Sequence, residues 1–144
     1  MKKEIFFDMD GTIADLYGVE GWLEDLRAER TRPYREARPL LNMSALARVL
    51  HRLQNNGWRI SIISWTSKAG TEEYNELVRV AKLWWLNKHL PSVRWDNIEI
   101  VPYGTPKHEL GRGILFDDNE EVRCEWGEGA HDVDAIIEVL KGLI

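Results

Sequence analysis

Asp8 and Asp10 flank Met9, directly after the apolar run Ile5-Phe6-Phe7 and directly before Gly11-Thr12. Side chains alternate along an extended chain, so both carboxylates would share one face, and Gly11 permits a sharp turn just beyond them. Carboxylates this close repel unless a shared proton or a cation relieves them. A hard divalent ion such as Mg²⁺ is the usual relief. A capped turn is the plainer account of an Asp-Gly pair, but it fits poorly behind a wholly apolar run. A second acidic pair, Asp117-Asp118, closes the run Ile114-Leu115-Phe116 in the same manner. Crowding charges at the end of a buried segment is costly unless they are paired or bind metal. A helix cap at Asp118 accounts for one of these acids and not the other. Between the pairs stand Ser64, a hydroxyl able to donate to a phosphoryl oxygen, and Lys107, a cation able to neutralise phosphate and nucleophile together. Singly, each is commonplace. In order, two acids, a hydroxyl, a lysine and two acids, each at or just past the end of an apolar run, make a specific constellation.

The elements that must position these groups are legible as short apolar runs alternating with helical stripes. The runs 5–7, 60–63, 98–101 and 114–116 are rich in β-branched or aromatic residues and end in polar or turn residues, as buried strands do. Helical stripes fall at Val19, Trp22, Leu23, Leu26; at Leu46, Val49, Leu50, Leu53; at Tyr74, Leu77, Val78, Ala81, Trp84, Trp85; and at Val133, Ile136, Ile137, Leu140. Ser44, Thr71 and Asp132 are the expected caps of the last three, with Gly57 and Pro91 just past two of the ends. Trp84 and Trp85 both read as core. This alternation predicts an α/β fold around a parallel sheet, with functional groups at the carboxyl ends of the strands.

At 144 residues the chain fits one domain, 1–144. A hydrophobic content of 44% spread along the chain excludes disorder, and a net charge of −5 argues against broad attraction to nucleic acid. The single cysteine, Cys124, allows no intramolecular disulfide, and no apolar run is long enough to cross a membrane. A cytoplasmic, soluble protein is expected; the oligomeric state is left open. The four histidines show no metal-ligand spacing.

IFFDMDGTIAD resembles the first motif of the haloacid dehalogenase (HAD) superfamily, a hydrophobic strand followed by DxDGT. SIIS, ending at Ser64, is similar to the second motif, Lys107 to the third, and ILFDD to the two-acid form of the fourth. The resemblance runs from Ile5 to Asp118. It implies a three-layer, Rossmann-like (HAD-like) sheet of order 3-2-1-4-5, for which Ala130-His131 is the candidate fifth strand. It further implies Mg²⁺ held by the Asp8 carboxylate, the Asp10 backbone carbonyl and Asp117 or Asp118. Asp8 would then be the nucleophile that forms an aspartyl-phosphate, Asp10 the acid and base, and Ser64 and Lys107 the groups holding the phosphoryl oxygens. An acid two residues after the nucleophile favours a phosphatase or phosphomutase within the family.

Segment 16–40 is too short for a full cap domain. It reads as one helix over 19–29 followed by the basic stretch Arg30, Arg32, Arg35 and Arg38, a minimal lid. DMDG and DD are also similar to the motifs of deoxyribonucleotide 5′-nucleotidases and of small phage and bacterial hydrolases. A small phosphorylated substrate, a nucleoside monophosphate above all, is therefore expected, with Tyr17, Trp22 or Trp65 stacking on a base. A polynucleotide 3′-phosphatase, its arginines tracking a strand end, and a non-catalytic binding module are the alternatives.

Overall fold

The computed structural model describes residues 3–144. Along the chain run β1 (Glu4–Phe7), β2 (Ala14–Asp15), α1 (Trp22–Arg27), α2 (Arg32–Glu36), β3 (Arg38–Pro39), α3 (Met43–Asn55), β4 (Arg59–Trp65), α4 (Glu72–His89), β5 (Asn97–Val101), β6 (Ile114–Phe116), α5 (Glu120–Trp126), β7 (Ala130–His131) and α6 (Ile136–Gly142). Five strands form one parallel sheet in the order β5-β4-β1-β6-β7. Counting only these five, the order is 3-2-1-4-5, as expected, and Ala130-His131 supplies the edge strand. The strand bearing the first acidic pair is thus central and lies beside the strand bearing the second.

Alternation sorts the side chains into two buried faces. Ile5, Phe7, Ile60, Ile62, Ile114 and Phe116 pack against Leu46, Val49, Leu50 and Leu53 of α3 and against Ile136 and Leu140 of α6. Phe6, Ile63 and Leu115 pack on the opposite side with Val122 of α5. Helices over both faces give the three-layer, Rossmann-like α/β arrangement and explain why the strands read as continuous apolar runs.

Two local expectations are corrected. Asn42, not Ser44, caps α3, its side chain accepting from Ala45 N; the helix starts at Met43 and leaves Ser44 inside the first turn. On α4, capped by Thr71 as expected, Trp85 is fully buried whereas Trp84 is 46% exposed. Successive helical residues are about 100° apart, so both indoles cannot face the same core. Trp85 also donates its Nε1–H to Ala37 O at 2.7 Å. Trp85→Ala should therefore lose packing and a buried donor together, costing about 3–5 kcal/mol in urea unfolding. Trp84→Ala should stay within about 1 kcal/mol.

The single helix expected over 19–29 is instead a short α1, preceded by a 3₁₀ turn at Leu16–Gly18. Gly21 adopts φ +74° at its start and Glu29 φ +55° beyond its end, so the left-handed backbone bounds it on both sides. The basic stretch that follows contains α2, opened by Pro33 in its first turn. Segment 16–40 leaves and returns through the antiparallel pair β2–β3. It rests on α4, where Leu16 and Tyr34 pack with Tyr74, Val78 and Ala81. Among the described residues, no helix is long and apolar enough to cross a membrane.

Candidate active site

Asp8 lies one residue past β1, and its N–H still donates to Phe116 O of β6. The chain then folds back tightly: Thr12, Ile13 and Ala14 all donate backbone N–H groups to Met9 O. Gly11 takes φ +79°, and a Cβ there would collide with the Asp118 carboxylate. Glycine is therefore required at this position both by the backbone and by the acid it lies against. On the neighbouring strand, Asp117 N donates to His131 O, so the short edge strand β7 fixes the second acidic pair. Asn119, rather than Asp118, caps α5, which leaves both acids free of that duty.

These placements converge on Lys107. Its Nζ is 2.9 Å from Asp8 Oδ1 and 2.7 Å from Asp117 Oδ2, and it lies 5.1 Å from the centre of the Trp65 ring. Burial alone would lower the Lys107 ammonium, but Asp8 and Asp117 outweigh it and hold the group above its ordinary value. Thr12 Oγ1 donates to Asp8 Oδ2 at 2.8 Å and accepts from Asp118 N at 3.2 Å, tying the two acidic turns together. Asp8, Asp117 and Asp118 each offer a carboxylate oxygen, all within 4.8 Å of one another.

Three carboxylates against one ammonium leave an excess of negative charge. Burial first, and then the charge of Asp8, push Asp117 up to about 6 and Asp118 up to about 7. A hard cation with oxygen ligands fits this set, since it would remove the repulsion that forces those protons on. The Asp10 carboxylate is outside the group. The unfolded chain releases the Asp117 and Asp118 protons near the ordinary 3.8. Their contribution to stability is therefore full at low pH and is lost as pH rises through about 6 to 7. Without a divalent ion, Asp118→Asn should melt a few degrees above the unaltered chain at about pH 8. Added Mg²⁺ should raise the melting temperature of the unaltered chain and leave the variant unmoved. A variant that melts lower without metal would contradict this reading of the site.

Asp10 is engaged elsewhere. Its Oδ2 accepts from Lys82 Nζ at 2.8 Å, and the same ammonium donates to Ser64 Oγ and Trp65 O, both at 2.7 Å. Lys82 is 1% exposed, its three donors are all used, and its Nζ lies 5.3 Å from the centre of the Tyr34 ring. Burial raises the Asp10 carboxyl above its ordinary value, against the opposing pull of Lys82. Strand β4 continues through Ser64 to Trp65, and alternation turns Ser64 to the face of Ile60 and Ile62. Ser64 is fully buried there and does not line the cavity; Thr66 and Ser67, two and three residues on, do. Lys82 belongs to none of the motifs read from the sequence. The one signal it carries there is its position four residues after Val78 and eight after Tyr74, a charge within the buried stripe of α4.

Above the acids opens a cavity of about 380 Å³. Its floor holds Asp8, Asp10, Lys107, Asp117 and Asp118. It is also lined by Tyr17 and Trp22, edge to face at 5.0 Å, and by Trp65 and Tyr103 at 4.8 Å, with Lys68 over Tyr103. Leu23, Leu26 and Tyr34 from segment 16–40 complete the wall. None of Arg30, Arg32, Arg35 or Arg38 lines it. Arg30 and Arg32 pair with Asp25, and Arg32 also with Glu36.

No family model and no curated protein matches the sequence. Among solved structures, the chain is similar to D,D-heptose 1.7-bisphosphate phosphatase from B. bronchiseptica, crystallised with magnesium and phosphate. The TM-score is 0.59 at 12% identity, over 100% of both chains. The shared feature is the HAD-like fold.

Proposed function

We propose that residues 1–144 form a single catalytic domain, a Mg²⁺-dependent phosphomonoesterase working through an aspartyl-phosphate at Asp8. The observation that carries this reading is Lys107, buried between the Asp8 and Asp117 carboxylates at the floor of an open cavity, with Asp118 alongside. Mg²⁺ would be held by Asp8, Asp117 and Asp118, where its charge offsets the repulsion between carboxylate and phosphoryl group. A solved structure of similar fold was crystallised with magnesium and phosphate, which supports a phosphatase reading.

The chain's own groups divide the work. Thr12 and Lys107 fix the Asp8 carboxylate, so that it is presented to phosphorus in one orientation. An Asp8 oxygen bonds to phosphorus as the bond to the leaving oxygen breaks, and Asp10 delivers its proton to that oxygen. Water then attacks phosphorus, Asp10 takes its proton, and the bond from phosphorus to Asp8 breaks to restore the carboxylate. Lys82 aims the Asp10 carboxyl for both transfers. Thr66, on the cavity wall, would donate to a phosphoryl oxygen, while Ser67 beside it gives both its hydroxyl and its N–H to Asn75 Oδ1 and Ser64 behind them braces Lys82.

Two aromatic pairs in the cavity walls favour a flat leaving group, and a nucleoside monophosphate is the substrate class we assign. Segment 16–40 acts as a short lid supplying one of those walls. The arginines expected to track a polynucleotide are partly committed to Asp25 and Glu36, which weighs against a strand-end substrate. Phosphate release should be measured with and without Mg²⁺ from nucleoside monophosphates, sugar phosphates and 3′-phosphorylated oligonucleotides. Mg²⁺-dependent turnover with nucleotides ahead of sugar phosphates is expected. Turnover led by oligonucleotides would replace the substrate assignment, and none on any compound would remove the enzymatic one.

A further inference from the structure

Helix α4 has a second, outward face. Leu77, Val80, Leu83 and Trp84 are 58%, 57%, 41% and 46% exposed, four large apolar side chains on one helix. Leu77, Val80 and Trp84 lie at i, i+3 and i+7, a continuous stripe rather than scattered positions. Contiguous exposed apolar surface of this kind marks an interaction site.

The charges bounding the stripe say what fits it. Glu72 and Glu73 stand at its amino end, and Lys88 and His89 at its carboxyl end. Lys88 Nζ lies 5.0 Å from the centre of the Trp84 ring. Numbered about the middle of the helix, between Val80 and Ala81, the stripe is self-complementary when reversed. Glu73 falls opposite Lys88, and Leu77 opposite Trp84. We propose that a second copy of this chain docks along this face. The two α4 helices would run antiparallel about a two-fold axis near Val80, with Leu77 on Trp84 of the partner subunit and Glu73 facing Lys88 of the partner subunit. A two-fold contact needs such a self-complementary patch, and antiparallel helices also set opposite dipole ends together.

The proposal does not depend on the chemistry assigned to the cavity. Sedimentation equilibrium of the full chain across a concentration series tests it. A dimer is expected, and Leu77→Glu or Trp84→Glu should weaken it at least about tenfold, with circular dichroism and catalytic turnover as checks that the variants fold. Glu73→Lys and Lys88→Glu, singly, should each weaken it by about 2–5-fold at low salt. Combined in one chain, they should restore it. Within one helix the two residues are about 22 Å apart, too far for that rescue to be intramolecular. A chain monomeric throughout, or a dimer indifferent to Leu77→Glu, overturns the interface. Failure of the double reversal to rescue overturns the antiparallel register.

Discussion

Asp8→Asn is expected to lower kcat by about 10⁴-fold or more, because an amide cannot open the covalent route and the remaining groups act on a step that no longer begins. The fold should survive. The new amide keeps an oxygen for Thr12 Oγ1, and losing the Asp8 charge removes one of the causes that push Asp117 and Asp118 upward. Rapid quench with ³²P-labelled substrate gives the direct reading. The unaltered chain should trap acid-stable label on protein during turnover, and the variant none. Label trapped equally well by the variant would place the nucleophile elsewhere, while retained turnover without label would favour direct attack by water. An unchanged urea-unfolding midpoint in the variant would separate loss of chemistry from loss of the fold.

The second large effect concerns Lys82. Methionine matches its length but not its charge, so Lys82→Met leaves Asp10 and Ser64 without the donor that links them. Proton delivery to a poor leaving group is worth about 10²–10⁴-fold, whereas a nitrophenolate departs with little help. Turnover of alkyl phosphates should accordingly fall about a hundredfold or more, and that of nitrophenyl phosphate by less than about tenfold. Plotted against leaving-group pKa, the variant's rates should steepen. Asp10→Asn should show the same steepening, and the double variant should add little to either. Equal losses across the series would reduce Lys82 to a packing residue.

Much of the frame could be read from the chain because its signals are local. Each strand is a short apolar run closed by a polar residue, and the acids follow those runs without a gap. Even the two-residue edge strand at Ala130–His131 could be anticipated from the strand order that the motif resemblance implies. The Lys82 link could not be foreseen in the same way. Asp10 and Lys82 are 72 residues apart, and their meeting depends on where α4 crosses the end of β4. Ser64 reads as a cavity residue because the apolar run stops at Ile63; two more residues of strand turn its hydroxyl inward. Trp84 and Trp85 look alike in sequence, and only the phase of the helix separates an exposed indole from a buried one. In segment 16–40, two left-handed residues break a helix that the apolar spacing supports.

The β2–β3 pair has a consequence for how this scaffold can change. Ala14 lies opposite Pro39 and Asp15 opposite Arg38, and Leu40 N bonds to Ile13 O, so the segment begins and ends at one point, a two-stranded pair outside the main sheet. Whatever hangs between those anchors is a cassette with a fixed doorway. Lengthening it adds only a slowly growing closure entropy, about 0.6 kcal/mol for each doubling of length. Asp8 and Asp10 sit on the turn that leads into this doorway, so its bonds at Ala14 must be kept when the cassette changes. One part of the cavity wall can therefore be exchanged by grafting a different cassette into the same doorway, while Trp65, Lys68 and Tyr103 on the body stay in place.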